Sequence, residues 1–476
     1  MTLPESDQPH SLSRFDMACL LVGIVVGTAI FEAPPTVFSQ FNHPLLGFST
    51  WLLGGLLAFS GALCYAELAA AYPQFGAEYV YLGRAYGRRV AFLFAWMQMT
   101  VVATGSIGAM SFVFVNYASH LLPTLNRAPA LVAMASLVCL LALQIAGLRT
   151  GKFVQNLLTV SKLVALGGLL LVGCLQLPSW EMLQPLAETS AAPASGSFSL
   201  ALILVLFAYA GWNDSTSVAP EVKDVQRNLP QALLYGLGFI AALYLGINFA
   251  YLNVLGFTGL RESSAPAAEV MQQMLGPWAA ATMSLVVMIS SLGAIHGTMF
   301  AGSRLLAAVG HDYPALGAWR RWNARGAPAA ALCTLAGISC VMILLAGTDR
   351  GVMLLRGTTA RLVELIRPAY DTTALFANEY GPQTGFEILV AAASPVFLLF
   401  FTLTGLALIV LRFTDTDHPR PFRVPLYPLT PLIFCASAGF MFYSSLQYAG
   451  LLVVLTAPLL LAGLLLAASL QPAKPD

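Results

Sequence analysis

Gly23-Ile24-Val25-Val26-Gly27-Thr28-Ala29-Ile30-Phe31 interrupts the first long apolar stretch of the chain, and Phe207-Ala208-Tyr209-Ala210-Gly211-Trp212-Asn213-Asp214 interrupts a later one. Both runs put glycine, small and polar residues where an unbroken membrane helix would carry leucine and valine. Inside hydrocarbon every backbone amide and carbonyl needs a partner, so irregular backbone is tolerated there only where it is buried in protein or lines a cavity. Paired interruptions in corresponding positions of two halves of a chain point to polar main-chain ends gathered around a solute.

Composition supports a membrane setting. Of 476 residues, 58% are hydrophobic and only 9% charged, against roughly a quarter charged in a soluble domain. Uncharged stretches of about 20 residues recur from end to end, the length a spanning helix requires. Spans are expected near 15–38, 45–70, 90–121, 129–147, 153–175, 198–220, 231–256, 277–307, 327–347, 386–411, 426–447 and 449–470. The fold class is therefore all-α integral membrane protein with about twelve transmembrane helices, a single membrane domain over 1–476 with no separate soluble domain. A formal net charge of +1 points to no nucleic-acid partner. The segment 1–14 lacks the basic-then-apolar layout of a cleaved leader, so the first span is expected to act as the insertion signal. Cys19, Cys64, Cys139, Cys174, Cys333, Cys340 and Cys435 form no CxxC pair and read as small buried hydrophobes, with no metal site or disulfide expected.

Lysine and arginine set an orientation. Arg14, the Arg84, Arg88, Arg89 group, Arg149, Lys152, Lys223, Arg227, the Arg320, Arg321, Arg325 group, Arg412, Arg420, Arg423 and Lys474 fall on one side. Arg127, Arg261 and the arginines of a single loop fall on the other. Basic residues favour the cytoplasm, which puts both termini inside and predicts a multi-pass protein of the cell membrane. The loop 348–385 is long; Leu354, Leu355, Leu362, Val363 and Ile366, interspersed with Arg356, Arg361, Glu364 and Arg367, read as a short amphipathic helix. It either lies on the membrane surface or forms a lid over an outer vestibule. Spans 1–5 (15–175) and 6–10 (198–411, carrying the 348–385 insertion) would be inverted copies with discontinuous helices 1 and 6, followed by two further helices at 426–470.

Several motifs then line up. Gly27-Thr28-Ala29-Ile30-Phe31, Tyr65-Ala66-Glu67-Leu68 with Pro73-Gln74-Phe75-Gly76-Ala77-Glu78-Tyr79-Val80-Tyr81-Leu82, Phe207 to Trp212 followed by Glu221-Val222-Lys223 and Arg227-Asn228-Leu229-Pro230, Ser291-Leu292-Gly293-Ala294 with Gly302-Ser303-Arg304, and Pro419-Arg420-Pro421-Phe422-Arg423-Val424-Pro425 occur in this order. In order and spacing the chain resembles the amino acid–polyamine–organocation transporter superfamily, whose members share the leucine-transporter fold. Ala29 and Ala77 depart from its pattern by replacing glycines, and alanine accepts an unwound turn only where φ is negative.

The resemblance implies roles that the chemistry of the residues permits. Unwinding at Gly27, Thr28 and Ala29 would bare amides at the start of an outer half-helix, a natural seat for a carboxylate. The freed carbonyl of Val25, with those of Phe207, Ala208 and Ala210, would take an ammonium, and Phe207 would close over the substrate. Gly23 and Gly27 also fit a packing seam of small residues. Asn213 and Asp214 begin the inner half of span 6; Asp214 could bind a cation, relay a proton or cap the helix. Ile295 and His296 match substrate-facing positions on span 8, although a lone histidine is often only hydrogen-bonded packing. Gln98, Thr100, Thr104 and Ser106 are further lining candidates on span 3.

Lys162 lies about 15 Å along a helix from Lys152, deep for a charge in lipid. By resemblance to sodium-independent relatives it would occupy the place of a sodium ion, near the carbonyls of Gly23 and Val26 and the hydroxyls of Ser290 or Ser291. There it could also load and release a proton. Snorkelling to the surface is the alternative. Glu67, Glu78 and Arg304 are expected near the inner mouth, either as a gating charge pair or as solvated loop charges.

These readings favour a secondary transporter that moves neutral amino acids by alternating access, proton-coupled or as an exchanger. The alternatives are a cationic amino acid or polyamine transporter, and a non-transporting amino acid sensor on the same scaffold. No Walker A loop is present for ATP coupling, and the absence of HExxH and GxSxG argues against an intramembrane enzyme. No cofactor is expected. The oligomeric state is left open.

Overall fold

The computed structural model describes residues 12–176, 198–276, 278–366 and 385–471. The segment 1–11, Arg367 with the remainder of the 348–385 loop to 384, and Lys474 lie outside the described residues. The chain is helical throughout them; the one β-type contact is an isolated parallel bridge between Leu12 and Val222. Among the described residues nine helices are long and apolar enough to cross a membrane, ten when one bent pair is taken as a single span. The outward faces carry exposed apolar side chains such as Val164, Leu171 and Leu461. A belt of that kind has no place in water and makes this a multi-span, membrane-embedded protein.

The first stretch splits into α1 (Arg14–Val25) and α2 (Ala29–Ser39), bent by 48° across residues 26–28. α3 (Pro44–Ala71) and the short α4 (Glu78–Tyr86) follow. α5 (Arg88–Met97) runs through a π-helical turn, Gln98–Val102, into α6 (Ala103–Leu121). Such a turn inserts an extra residue per bond and commonly marks a functional stretch. α7 (Pro129–Ile145) and α8 (Leu148–Leu175) complete the first half. α9 (Phe198–Ala208) ends at a turn and continues as a 3-10 segment, Trp212–Glu221, so the inner part of this stretch is not α-helical as expected. The remaining helices are α10 (Val225–Glu262), α11 (Pro266–Leu275), α12 (Trp278–Asp312), α13 (Ala329–Gly347), α14 (Asp349–Ile366), α15 (Gly385–Thr414), α16 (Leu429–Ala449) and α17 (Thr456–Ser469). α14 is the amphipathic helix of the loop, at 18 residues longer than expected. The last span enters through a 3-10 turn, Gly450–Leu455.

The two alanine departures behave differently. Ala29 opens α2 in ordinary helical geometry. Ala77 adopts φ 42°, ψ −100°, a sparsely populated conformation that costs a residue with a Cβ about 1–3 kcal/mol. Glycine at Gly211, φ 99°, carries no such penalty. Three cysteines, Cys139, Cys174 and Cys333, face outward rather than into the core.

α10 packs along α3, α12 along α6, and α1 sits among α8, α10 and α12. The first broken stretch is thereby flanked by three long helices, of which α10 is itself kinked near its end at Gly256 (φ 70°, ψ 174°).

Candidate functional site

The two breaks touch. A Cβ built on Gly211 would lie 3.0 Å from Ile24 Cγ2, so the turn after α9 is pressed against the end of α1 and only glycine combines that approach with its backbone angle. The carbonyls freed at the breaks are met by a side chain the sequence reading did not single out. Tyr244, wholly buried on α10, donates its hydroxyl to Val25 O and Ala208 O, both at 3.2 Å. These are two of the carbonyls expected to receive an ammonium. One turn pair further on, the Tyr251 hydroxyl reaches Ile30 O at 3.4 Å. The available signal was general: a tyrosine inside an apolar helix must find a partner for its hydroxyl, and exposed helix-end carbonyls are such partners.

On the amide side, Gly27 N–H folds back to Val25 O at 2.8 Å. Of the expected carboxylate donors, Gly27 is therefore already engaged in this conformation. Thr28 heads α2 and makes no side-chain cap. The space beside Gly27 is open: an added Cβ meets nothing nearer than Met110 Sδ and Val25 O at 4.0 Å. Phe207, 36% exposed, stands away from the core instead of closed over it. Ala210 borders a cavity of about 30 Å³ formed with Leu57, Trp212, Phe401 and Phe434.

Lys162 is fully buried. Its ammonium donates to Gly23 O at 3.0 Å, Val26 O at 2.8 Å and Ser290 O at 3.2 Å. The three donors of the amine are thus all met by main-chain carbonyls. Ser290 contributes its carbonyl, while its hydroxyl donates to Val26 O at 2.9 Å and Gly27 O at 3.1 Å, pinning the unwound turn. Ser291 does not take part, because its hydroxyl bonds back into its own helix at Val287 O and Met288 O.

α12 presents a different face to the breaks from the one expected. Ser290, Gly293 and Gly297, at helical spacing, meet Val26, Lys162 and Ile24. Ile295 points into an apolar cluster with Ile107, Met299 and Leu332. His296 turns to α8, where its Nδ1 pairs with Gln155 Oε1 at 2.9 Å, and its carbonyl accepts from Gln144 at 2.7 Å. Ile295 lies two residues from both Gly293 and Gly297, a rotation of about 200° around the helix, and so faces away from α1. On span 3, Thr100 bonds its own helix, Gln98 and Thr104 are buried, and Ser106 is exposed.

The charges expected at the inner mouth are neither solvated nor paired with one another. Glu67 is buried and accepts from Arg412 Nε at 2.8 Å and from the amide of Val424, with Arg420 at 3.6 Å. Glu78 accepts from the Tyr65 hydroxyl at 2.8 Å and Asn213 Nδ2 at 2.9 Å. The same Asn213 nitrogen reaches Asp214 Oδ1 at 3.1 Å. Asn213 is therefore tied to the scaffold, and no capping bond involves Asp214, the segment starting at Gly211 without a side-chain cap. Arg304 pairs with Glu221 at 2.8 Å, with its guanidinium 3.6 Å over the Phe300 ring. Glu221 O accepts from Leu12 N at 2.9 Å. The end of the 3-10 segment, α12 and the residue preceding α1 are thus bolted together at the Leu12 end of the bundle. Among the described residues no group of His, Cys, Asp and Glu is arranged to hold a metal ion.

Two touching helix breaks, a buried lysine held by carbonyls of the first broken stretch and of α12, and a bundle of apolar spans mark the core of this membrane protein. The sequence matches the amino acid permease family over residues 12–467, and the chain belongs to that family. It is similar to the b(0,+)-type amino acid transporter 1 of Mus musculus, 28% identical over 414 residues, covering 86% of this chain and 77% of the relative. The human protein of that name is 29% identical over 412 residues, with 86% and 77% covered. The Large neutral amino acids transporter small subunit 2 of Mus musculus is 29% identical over 432 residues, with 88% and 74% covered.

Proposed function

We propose that this permease is a secondary transporter that carries neutral amino acids across the cell membrane by alternating access, coupled to protons or operating by exchange. The observation that carries the reading is the meeting of the two breaks, with Val25 O and Ala208 O turned to one hydroxyl. A substrate α-ammonium offers stronger, charge-assisted donors to the same carbonyls. The α-carboxylate then falls to the amides of Thr28 and Ala29 at the head of α2, with Gly27 leaving room for it. Alanines at 208 and 210 leave no charge to select a cationic side chain, which supports a neutral substrate, as does the amino acid class named for the large neutral relative.

The finer architecture follows the same reading. Twelve spans are reached by adding α7 and the α9 pair to the ten above. The packing of α3 on α10 and of α6 on α12 fits a five-plus-five inverted repeat, in which these are equivalent helices. Basic loops put both termini in the cytoplasm. The Arg304–Glu221 pair is then a cytoplasmic gate held shut, with Phe207 open on the outer side. Lys162, replacing a metal ion among Gly23, Val26 and Ser290, is the coupling group.

The test is uptake into liposomes of a panel of radiolabelled amino acids, with and without a pH gradient and with and without internal amino acid. Uptake of neutral substrates that responds to one of the two drives is the expected result. Saturable binding with no flux for any substrate would overturn transport in favour of a sensor.

A further inference from the structure

The outer half-helix α2 is shut in on almost every side. Seven of its 11 residues are buried. The four left over are Ala29, Glu32, Thr36 and Ser39, of which Glu32 and Thr36 are exposed. Their spacing of three, four and three residues puts them on one face. That stripe holds no large apolar side chain. Helix α8 shows what a lipid-facing surface of this protein is made of: Phe153, Val164 and Leu171 stand out from it. A carboxylate at membrane depth faces a cavity or the bundle interior rather than hydrocarbon, so the stripe borders water.

The facing wall comes from α6. Met110 Sδ is 4.0 Å from a Cβ built on Gly27, and the Tyr117 hydroxyl stands within hydrogen-bonding reach of the Glu32 carboxylate. Met110 and Tyr117 are two turns apart on α6, while Gly27 and Glu32 bracket the head of α2, so the two helices run side by side from the break to Glu32. Neither packs along the other: α2 lies on α9 and α10, α6 on α12 and α15. The groove left between them has Ser106, Met110, Tyr117 and His120 on its α6 side, with Ser106 and His120 exposed. Glu32 enters no ion pair among the described residues. The basic side chain tied to α2, Arg261, donates to Ser39 O at 3.3 Å, about 10 Å further along the helix. A carboxylate has roughly four acceptor positions, so a bond from Tyr117 leaves Glu32 free to take a ligand.

We propose that Glu32 is the charge-selecting residue of this entry groove: amino acids with a basic side chain are favoured there, acidic ones are turned away, and neutral ones pass between the two. The proposal extends the substrate reading above and rests on its placement of the α-carboxylate at the head of α2. Glu32 is three residues past Ala29, about 4.5 Å along the axis, and helix side chains lean back toward the N-terminus. Its carboxylate therefore overlooks the space an incoming side chain must cross. The flexible four-carbon stem of lysine can bring its ammonium to Glu32 while the α-carboxylate stays on the amides. A glutamate side chain would set like charge against like. At about 6 Å one unit charge alters binding about threefold at the dielectric of water, so the preference for lysine over glutamate moves about tenfold, and more in a groove of lower dielectric. Selectivity built this way uses a repulsive element as well as an attractive one.

The test uses the full chain in liposomes taking up an equimolar mixture of radiolabelled neutral L-amino acids, with unlabelled lysine or glutamate as competitor. The readout is the ratio of their half-inhibitory concentrations within one variant, which a general loss of rate does not move. In the unmodified protein glutamate should need at least a tenfold higher concentration than lysine. Glu32→Gln should narrow that ratio at least tenfold, and Glu32→Asp should keep most of it. Raising the ionic strength from about 0.01 M to about 1 M shortens the Debye length from about 30 Å to about 3 Å; this should narrow the ratio in the unmodified protein and leave that of Glu32→Gln in place. An unmodified protein without a preference for lysine, or a Glu32→Gln ratio equal to the unmodified one, overturns the proposal, and loss of binding in Gly27→Leu beside it leaves the substrate placement standing. Wild-type affinity in Gly27→Leu overturns that placement and this proposal with it. Should Glu32→Gln not fold, the salt series on the unmodified protein decides, and a ratio that salt does not change overturns the proposal.

Discussion

Removing one oxygen atom separates two accounts of the substrate site. The Tyr244 hydroxyl is shared between Val25 O and Ala208 O at 3.2 Å each, the long end of the hydrogen-bond range. Tyr244→Phe keeps the ring, its packing against Trp51 and Tyr209 and nearly all its volume, but leaves both carbonyls short of a donor. A buried acceptor deprived of its partner costs about 1–3 kcal/mol. Because a single hydroxyl is divided between two long bonds, the lower half of that range applies, about 1–2 kcal/mol. The penalty falls on the empty state alone if a bound α-ammonium satisfies the same carbonyls. Tyr244→Phe should therefore bind substrate more tightly, by about fivefold to thirtyfold at 1.4 kcal/mol per decade, and melt lower without ligand. Isothermal titration or scintillation proximity binding in detergent, paired with a melting curve, reads both. Affinity that falls instead would mean that the hydroxyl itself contacts substrate, and unchanged affinity with a lowered melting point would mean that the ammonium binds elsewhere; either refutes the assignment of these carbonyls.

Lys162→Met removes the donor to three carbonyls while keeping an unbranched chain; uptake should lose its dependence on pH, and a pH profile parallel to that of the unmodified protein would remove Lys162 from coupling. Gly27→Leu meets no protein atom nearer than 4.0 Å at its Cβ, so the variant should fold yet lose substrate binding by at least tenfold, and wild-type affinity would show that the space beside Gly27 is not the site. Gly211→Ala places a Cβ at φ 99° and 3.0 Å from Ile24, which should cost about 1–2 kcal/mol from the backbone alone; an unshifted melting curve would show that the turn does not hold this conformation.

Much of the site's skeleton was legible because it is written in local chemistry. Gly27 and Thr28 in one apolar run and Gly211 in another announce breaks, since hydrocarbon permits no unpaired backbone that protein does not cover. Lys162 announced itself by depth, while its carbonyl partners Gly23 and Val26 were named from the family resemblance. The surroundings of individual side chains were not legible in the same way. Ile295 and His296 were chosen by position in a motif, but which side of α12 meets α1 depends on how α12 packs against α6 and α8. Glu67, Glu78 and Arg304 lie close to the same end of the bundle, yet each found a partner distant in sequence: Arg412, Asn213 and Glu221. Tyr244 could not be chosen from among sixteen tyrosines without knowing which of them faces a freed carbonyl.

By itself, then, the amino-acid order settled the solvent of this protein, its helical character and the two places where helices give way, because each is a transfer or backbone cost borne by neighbouring residues. Tertiary structure alone decided which polar groups meet at those places, and that Gly23 and Gly293 leave room for Gln155 and Lys162. Contacts between residues more than a hundred positions apart depend on helix rotation and approach, and those are set by packing of the whole bundle.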